Sequence, residues 1–193
     1  MYSIKLLLVV LIPSLNAFVD LNRTTQLLRG PDIYHGLSHL SVSNAASPAR
    51  CESGWTLFDK TDACYKTFFG EMFEAAENTC ITVGGHLTSI HSFEENTFIA
   101  ELAKMDRPAS YQDQTWIGLH VETNSRNWTW TDGTKVDFEI WGPDCPTRGQ
   151  GDCARVLSDV APFDPDGLWF HKWADYPCNQ KMRTYVCKKM ALH

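Results

Sequence analysis

No two cysteines of this 193-residue chain form a Cys-x-x-Cys pair, so the usual spacing of a structural zinc site is missing. No apolar stretch reaches the roughly 20 residues that a helical membrane span needs. There is no dense Lys/Arg cluster, and 17 basic residues against 23 acidic ones leave a formal charge of −6. That balance argues against nucleic acid or an anionic membrane as the main partner, and the missing apolar stretch against membrane insertion. No Ser-His-Asp arrangement, nucleophile elbow or recognisable acid/base pair of carboxylates stands out, which argues against an enzyme. No internal repeat is visible.

What is present begins with "MYSIKLLLVVLIPSLNAFVD". Lys5 precedes a short apolar run from Leu6 to Ile12, and small and polar residues lead to Ala17. This is the order of a secretory signal peptide, and cleavage is expected after Ala17. The product is a secreted, extracellular chain with residues 1–17 removed and, without Lys5, one more net negative charge. An uncleaved anchor is the rival expectation.

All seven cysteines lie after that point: Cys51, Cys64, Cys80, Cys145, Cys153, Cys178 and Cys187. In an oxidising compartment they read as disulfides. Seven is odd, so one thiol stays free, is capped, or joins another chain. Asn22 ("NRT") and Asn127 ("NWT") fit the glycosylation acceptor pattern.

Residues 18–50 include "GLSHLSVSNAASPAR", which has no sustained period and no cysteine; they read as a flexible stalk. The folded domain is expected over 51–190. "SGWTLFDKTDACYKTF" suggests two strands around a turn. Phe69, Met72, Phe73, Ala76 and Cys80 fall on one helical face, which Gly84 and Gly85 terminate. In "SIHSFEEN", Ser92 and Glu95 make a capping box, with the hydroxyl taking the Glu95 amide and the carboxylate returning to the Ser92 amide. Phe98, Leu102 and Met105 continue that second helix's apolar stripe. "QTWIGLHV", "NWTWTDGT" and "RTYVCKK" then read as strands. Two helices followed by strands and long loops give an α+β domain with a mainly antiparallel sheet.

The ordered pieces "GWTLFDKTDACYK", "GGHLTSIHSFEEN", "WIGL", "WTWTDGT", "DCARV", "KWADYPC" and "YVCKK" resemble the C-type lectin-like domain. The resemblance runs from about Cys51 to Lys189. It implies two helices packed on a mainly antiparallel sheet with a long loop region. It also implies disulfides Cys51–Cys64, marking the long form of the domain, Cys80–Cys187 and Cys153–Cys178. Cys145 is left unpaired.

Many members of that family bind sugar through calcium, a cation wanting six to eight oxygen ligands. Taking Trp141 as the frame, Cys145 stands where the family's ligand loop has Glu or Gln. Pro146 keeps the proline that carries a cis bond in the family. Thr147 replaces Asn or Asp, Gly151 replaces a Glu, and Ala174 replaces an Asn. Only Asp175 keeps its oxygens, and Arg148 adds positive charge nearby. No metal is therefore expected, with Asp152 and Asp175 as residual candidates; Asp152 matches an acid at a second calcium site in some relatives. A frame shift placing Gly142, Pro143 and Asp144 in the ligand loop is the route by which calcium could return. The other long-loop acids, Asp159, Asp164 and Asp166, read as solvated carboxylates.

His86 and His91 are five residues apart, about 140° on a helix and on opposite faces of a strand, so neither geometry chelates one ion. Trp169 and Phe170 are aromatics beyond the family pattern. They anchor a ligand or fill the loop's own core. The expected binding surface is the long-loop face: Cys145, Pro146, Thr147, Arg148, Trp169, Phe170, His171 and Asp175. The resemblance implies a secreted binding protein for a protein or glycan ligand, working without calcium, with host defence as its setting. The alternatives are a calcium-dependent carbohydrate-binding lectin with an altered site, and a disulfide-linked structural or assembly protein, a covalent homodimer through Cys145.

Overall fold

The computed structural model describes residues 47–122, 126–147, 149 and 151–193. The expected signal peptide, Asn22, most of the expected stalk and Arg148 lie outside the described residues. The described elements are β1 (Thr56–Phe58), β2 (Ala63–Glu71), α1 (Phe73–Thr82), β3 (His86–Leu87), α2 (Phe93–Ala103), β4 (Thr115–Val121), β5 (Trp128–Trp130), β6 (Cys153–Val156), β7 (Trp173–Tyr176) and β8 (Met182–Met190). They build an α+β fold in which two helices pack on one mixed sheet.

The sheet runs β1-β2-β8-β4-β6-β7, with β3 added on β8 and β5 on β4. Among the described strands β4 and β8 alone pair in parallel, at Thr115↔Thr184 and Trp116↔Tyr185, and an isolated parallel bridge joins Trp141 to Trp173. The β2–β8 ladder extends from Ala63↔Met190 to Glu71↔Met182 and brings the two ends of the domain together. Arg50, placed in the stalk by composition, pairs with Leu192 just beyond that ladder. Strand-like pairing therefore reaches one residue before Cys51 and as far as Leu192.

The three disulfides are Cys51–Cys64, Cys80–Cys187 and Cys153–Cys178. Cys80–Cys187 closes a separation of 107 residues and ties α1 to β8, a constraint worth about 5 kcal/mol of unfolded-chain entropy in the simple model. Cys145 is free.

The first helix is shorter than its sequence stripe. Phe73, Ala76 and Cys80 are buried as the period requires. Phe69 instead pairs with Thr184 in β2–β8 and is 62% exposed, while Met72 is the helix N-cap. Sheet pairing overrides helical period there. In the second helix, Phe98 and Leu102 pack against the core, but Met105 lies beyond the helix end and is partly exposed.

Ser92 caps α2 as expected, its hydroxyl accepting from the Glu95 amide at 3.1 Å. The return bond differs from the expectation: Glu95 Oε2 accepts the His91 amide at 2.8 Å, not that of Ser92. Its other oxygen is drawn inward, accepting from Tyr65 Oη at 2.6 Å and Lys188 Nζ at 2.7 Å. Glu95 is fully buried, so these donors replace the water it has lost.

The α2 helix also fixes the long-loop side of the domain. Trp173, fully buried, donates through Nε1 to Asn96 Oδ1 at 2.7 Å. Asn96 Nδ2 donates to the His171 carbonyl at 2.9 Å. His86 and His91 take separate carboxylates, Glu77 and Asp137, at 2.6 and 2.7 Å.

Candidate functional site

The site begins where the segment after Trp141 returns to β7. The Trp173 amide donates to the Ile140 carbonyl and the Gly142 amide to the Trp173 carbonyl, at 2.9 and 2.8 Å. The chain then turns, the Cys145 amide donating to the Gly142 carbonyl at 3.1 Å. Asp144 takes the left-handed conformation at φ 60°, and the Cys145–Pro146 bond is cis. This route delivers Thr147 onto Asp175.

Asp175 is nearly buried in β7. Its Oδ1 accepts the Thr147 amide at 2.9 Å and its Oδ2 the Thr147 hydroxyl at 2.6 Å. Beside it, the Cys145 thiol is pushed up to about 11, first by burial and then by the Asp175 charge. It is a poor nucleophile at neutral pH. The adjoining position, Ala174, has no side-chain oxygen. Gly151 has none either, and a Cβ placed there would lie 2.3 Å from the Tyr176 carbonyl carbon. The family's calcium ligand set therefore does not fit these residues: one acid remains, both its oxygens are occupied, and another acid position is sterically closed. Among the described residues no group of three or more His, Cys, Asp or Glu could hold a metal ion. Asp152 is exposed, and its carbonyl accepts the Val121 amide at 2.7 Å.

A cleft of about 590 Å³ opens beside Thr147 and Asp175. Its floor is β6 and β7, presenting Arg155 and Tyr176. Tyr111, Phe163 and Trp169 rise around it. Tyr111 and Phe163 stack at 4.4 Å and 6°. Asp164 holds Trp169, accepting the Leu168 and Trp169 amides at 2.8 Å each. The indole lies against Gly142, where a Cβ would stand 2.4 Å from Trp169 Cε3.

Two of the long-loop acids are not the solvated groups that composition suggested. Asp164 is buried because it caps those amides, and Asp159 because it pairs with Arg183 and accepts the Met105 amide at 3.0 Å. Asp166 is exposed.

Of the residues expected at the binding face, Cys145, Thr147, Trp169 and Asp175 line the cleft. Pro146 sits between two of them in the cis bond. Phe170 and His171 are not among its lining. Their rings stack on each other at 3.9 Å, and His171 Nε2 faces Glu101 at 3.2 Å. Burial lowers the His171 imidazole. Asn127 is exposed just ahead of β5.

Arg155 was missed by the sequence reading. Its signal was legible: in "CARV", Ala154 and Val156 face the core, and the charged residue between them occupies the opposite face of a strand that is buried on both sides. Tyr111 and Gln114 reach the cleft from the α2–β4 loop, Phe163 from the β6–β7 loop and Gln180 from the β7–β8 loop, and no local pattern joins the three segments.

With this geometry in place, comparison with known proteins is direct. The model for the "Lectin C-type domain" matches residues 70–189. C-type lectin domain-containing protein 161 of Caenorhabditis elegans is 30% identical over 143 residues, covering 72% of this chain and 16% of that protein. The Type-2 ice-structuring protein of Brachyopsis segaliensis is 32% identical over 142 residues, 74% of each chain. Among solved structures, a calcium-independent type II antifreeze protein matches with a TM-score of 0.58 and 30% identity, over 76% of this chain and 99% of that one. The chain belongs to the C-type lectin family, with the C-type lectin-like fold. It spans about a sixth of the length of the Caenorhabditis elegans relative.

Proposed function

We propose that this chain is a secreted C-type lectin-like protein that binds a glycan or protein ligand through its long-loop face, without calcium and without catalytic turnover. The observation that carries this reading is the capture of both Asp175 oxygens by Thr147. The one acid left from the family's ligand set is occupied by its neighbour. The likeness to a calcium-independent antifreeze protein supports the same reading. Three disulfides fit an oxidising compartment, and no helix among the described residues is long and apolar enough to cross a membrane. A cleft of this volume lies within the usual range of ligand pockets.

A glycan array probed in calcium and again in chelator tests the reading. Signal of equal strength in both supports calcium-independent glycan binding, and no signal in either directs the search to protein ligands. Signal that requires calcium overturns it.

A further inference from the structure

The two largely buried arginines of this domain are treated differently. Arg183 has a carboxylate partner, buried Asp159, although its own Nε and Nη1 are also left without a hydrogen-bond partner, so the ion pair is what separates the two. Arg155 is 5% exposed and makes no ion pair among the described residues. Its Nη1 donates to the Tyr111 carbonyl, and its Nε has no hydrogen-bond partner. A buried guanidinium with an unused donor is costly, because it has lost water and gained too little in return.

The groups around this guanidinium line a cleft. The Arg155 Cζ lies 3.8 Å from the centre of the Tyr176 ring and 5.9 Å from that of Tyr111. The two rings hold the guanidinium plane while leaving its edge to hydrogen bonding. Burial lowers the guanidinium to about 10, with Tyr176, Cys145 and Asp175 opposing that shift, and each Asp175 oxygen accepts from Thr147. Phe163 and Trp169 add flat apolar surface, and Gln114 and Gln180 add amides.

We propose that this cleft binds an acidic sugar residue, whose carboxylate or sulfate takes the Arg155 guanidinium while its ring lies on the aromatic wall. This rests on the binding function proposed above and names its ligand class. A fixed fork of N–H donors matches an oxyanion better than a neutral hydroxyl. The cleft, at about 590 Å³, is large enough for one or two sugar rings. No calcium enters the recognition, because the positive charge is supplied by the protein.

The test is NMR of the Arg155 Nε–Hε resonance in the whole secreted protein, in chelator, during titration with methyl glucuronide, glucose 6-sulfate and methyl glucoside. The expected result is a saturable shift with one or both acidic sugars, at an affinity about tenfold or more above that for the neutral one. Which acid acts identifies the oxyanion. Equal shifts with all three overturn the proposal, since stacking alone would then suffice. No shift with any of them also overturns it, even if the array shows another glycan bound, so its failure is separable from that of the broader reading. Arg155→Lys keeps the charge and loses the fork; it is expected to abolish the preference for acid over neutral sugar. Retained preference in a variant that melts like the parent contradicts the assignment. Should Arg155→Lys fail to fold, the resonance titration of the parent still decides.

Discussion

Thr147 closes over Asp175 with both its donors, the amide at 2.9 Å and the hydroxyl at 2.6 Å. One residue thereby satisfies a nearly buried carboxylate that would otherwise need a cation or water. The pair also fixes the wall of the cleft, since Cys145 and the cis bond precede Thr147 by two residues. The acid that the family resemblance places at the metal site is held here in a hydrogen-bonded clasp.

Asp175→Asn tests that clasp and its neighbour together. The amide cannot accept from both Thr147 donors, and about 1–3 kcal/mol of stability should be lost. The Cys145 thiol should fall from about 11 but remain above its ordinary value, because burial is the larger cause of its shift and the Asp175 charge the smaller. An unchanged thiol titration would contradict the proximity of the two groups.

The same thiol predicts a pH dependence. Its folded value stands above the unfolded one, so folding favours the protonated form. Its contribution is fully present below about pH 9 and is lost as the pH rises toward 11. Cys145→Ser should flatten that decline in denaturation midpoint. Maleimide labelling at pH 8 should be about a hundredfold slower than for a free cysteine. The full-length protein should migrate as a monomer with and without reductant, because thiolate is the species that exchanges. A reducible dimer band would contradict this.

Gly142→Ala should disturb Trp169, whose ring occupies the space a Cβ would take. Overpacking of this kind costs about 1–3 kcal/mol. The check is urea denaturation together with the Trp169 indole resonance. An unmoved resonance would show that the wall yields elsewhere.

Glu95→Ala should cost about 3–5 kcal/mol, since it removes the only carboxylate paired with the Lys188 ammonium, leaving it Ser89 alone, and leaves the Tyr65 hydroxyl only Thr61. Denaturant midpoints of parent and variant measure it. A loss under about 1 kcal/mol would mean that water reaches the site.

Much of the fold was legible because its signals are local. Ser92 and Glu95 marked the start of α2, alternation marked β5, and the spaced pieces of the family pattern implied all three disulfides. The errors arose where tertiary pairing outranks local period. Phe69 carries a helical spacing, yet β8 lies beside it and holds it in a strand. Glu95 could satisfy its own cap, but Tyr65 and Lys188 arrive from distant strands and claim one of its oxygens. The site divides in the same way. Cys145, Thr147 and Asp175 follow from positions in the motif, whereas Arg155 acquires its role only once Tyr111 and Tyr176 enclose it.

Calcium titration followed by calorimetry bears most directly on how this domain binds, with the parent protein compared to Gly151→Glu. The parent should give no saturable heat and no rise in Tm in millimolar calcium. Gly151→Glu should lose stability against the Tyr176 backbone without gaining the ion. A saturable isotherm for the parent at about millimolar affinity or tighter, abolished by Asp175→Asn, would contradict calcium-independent binding.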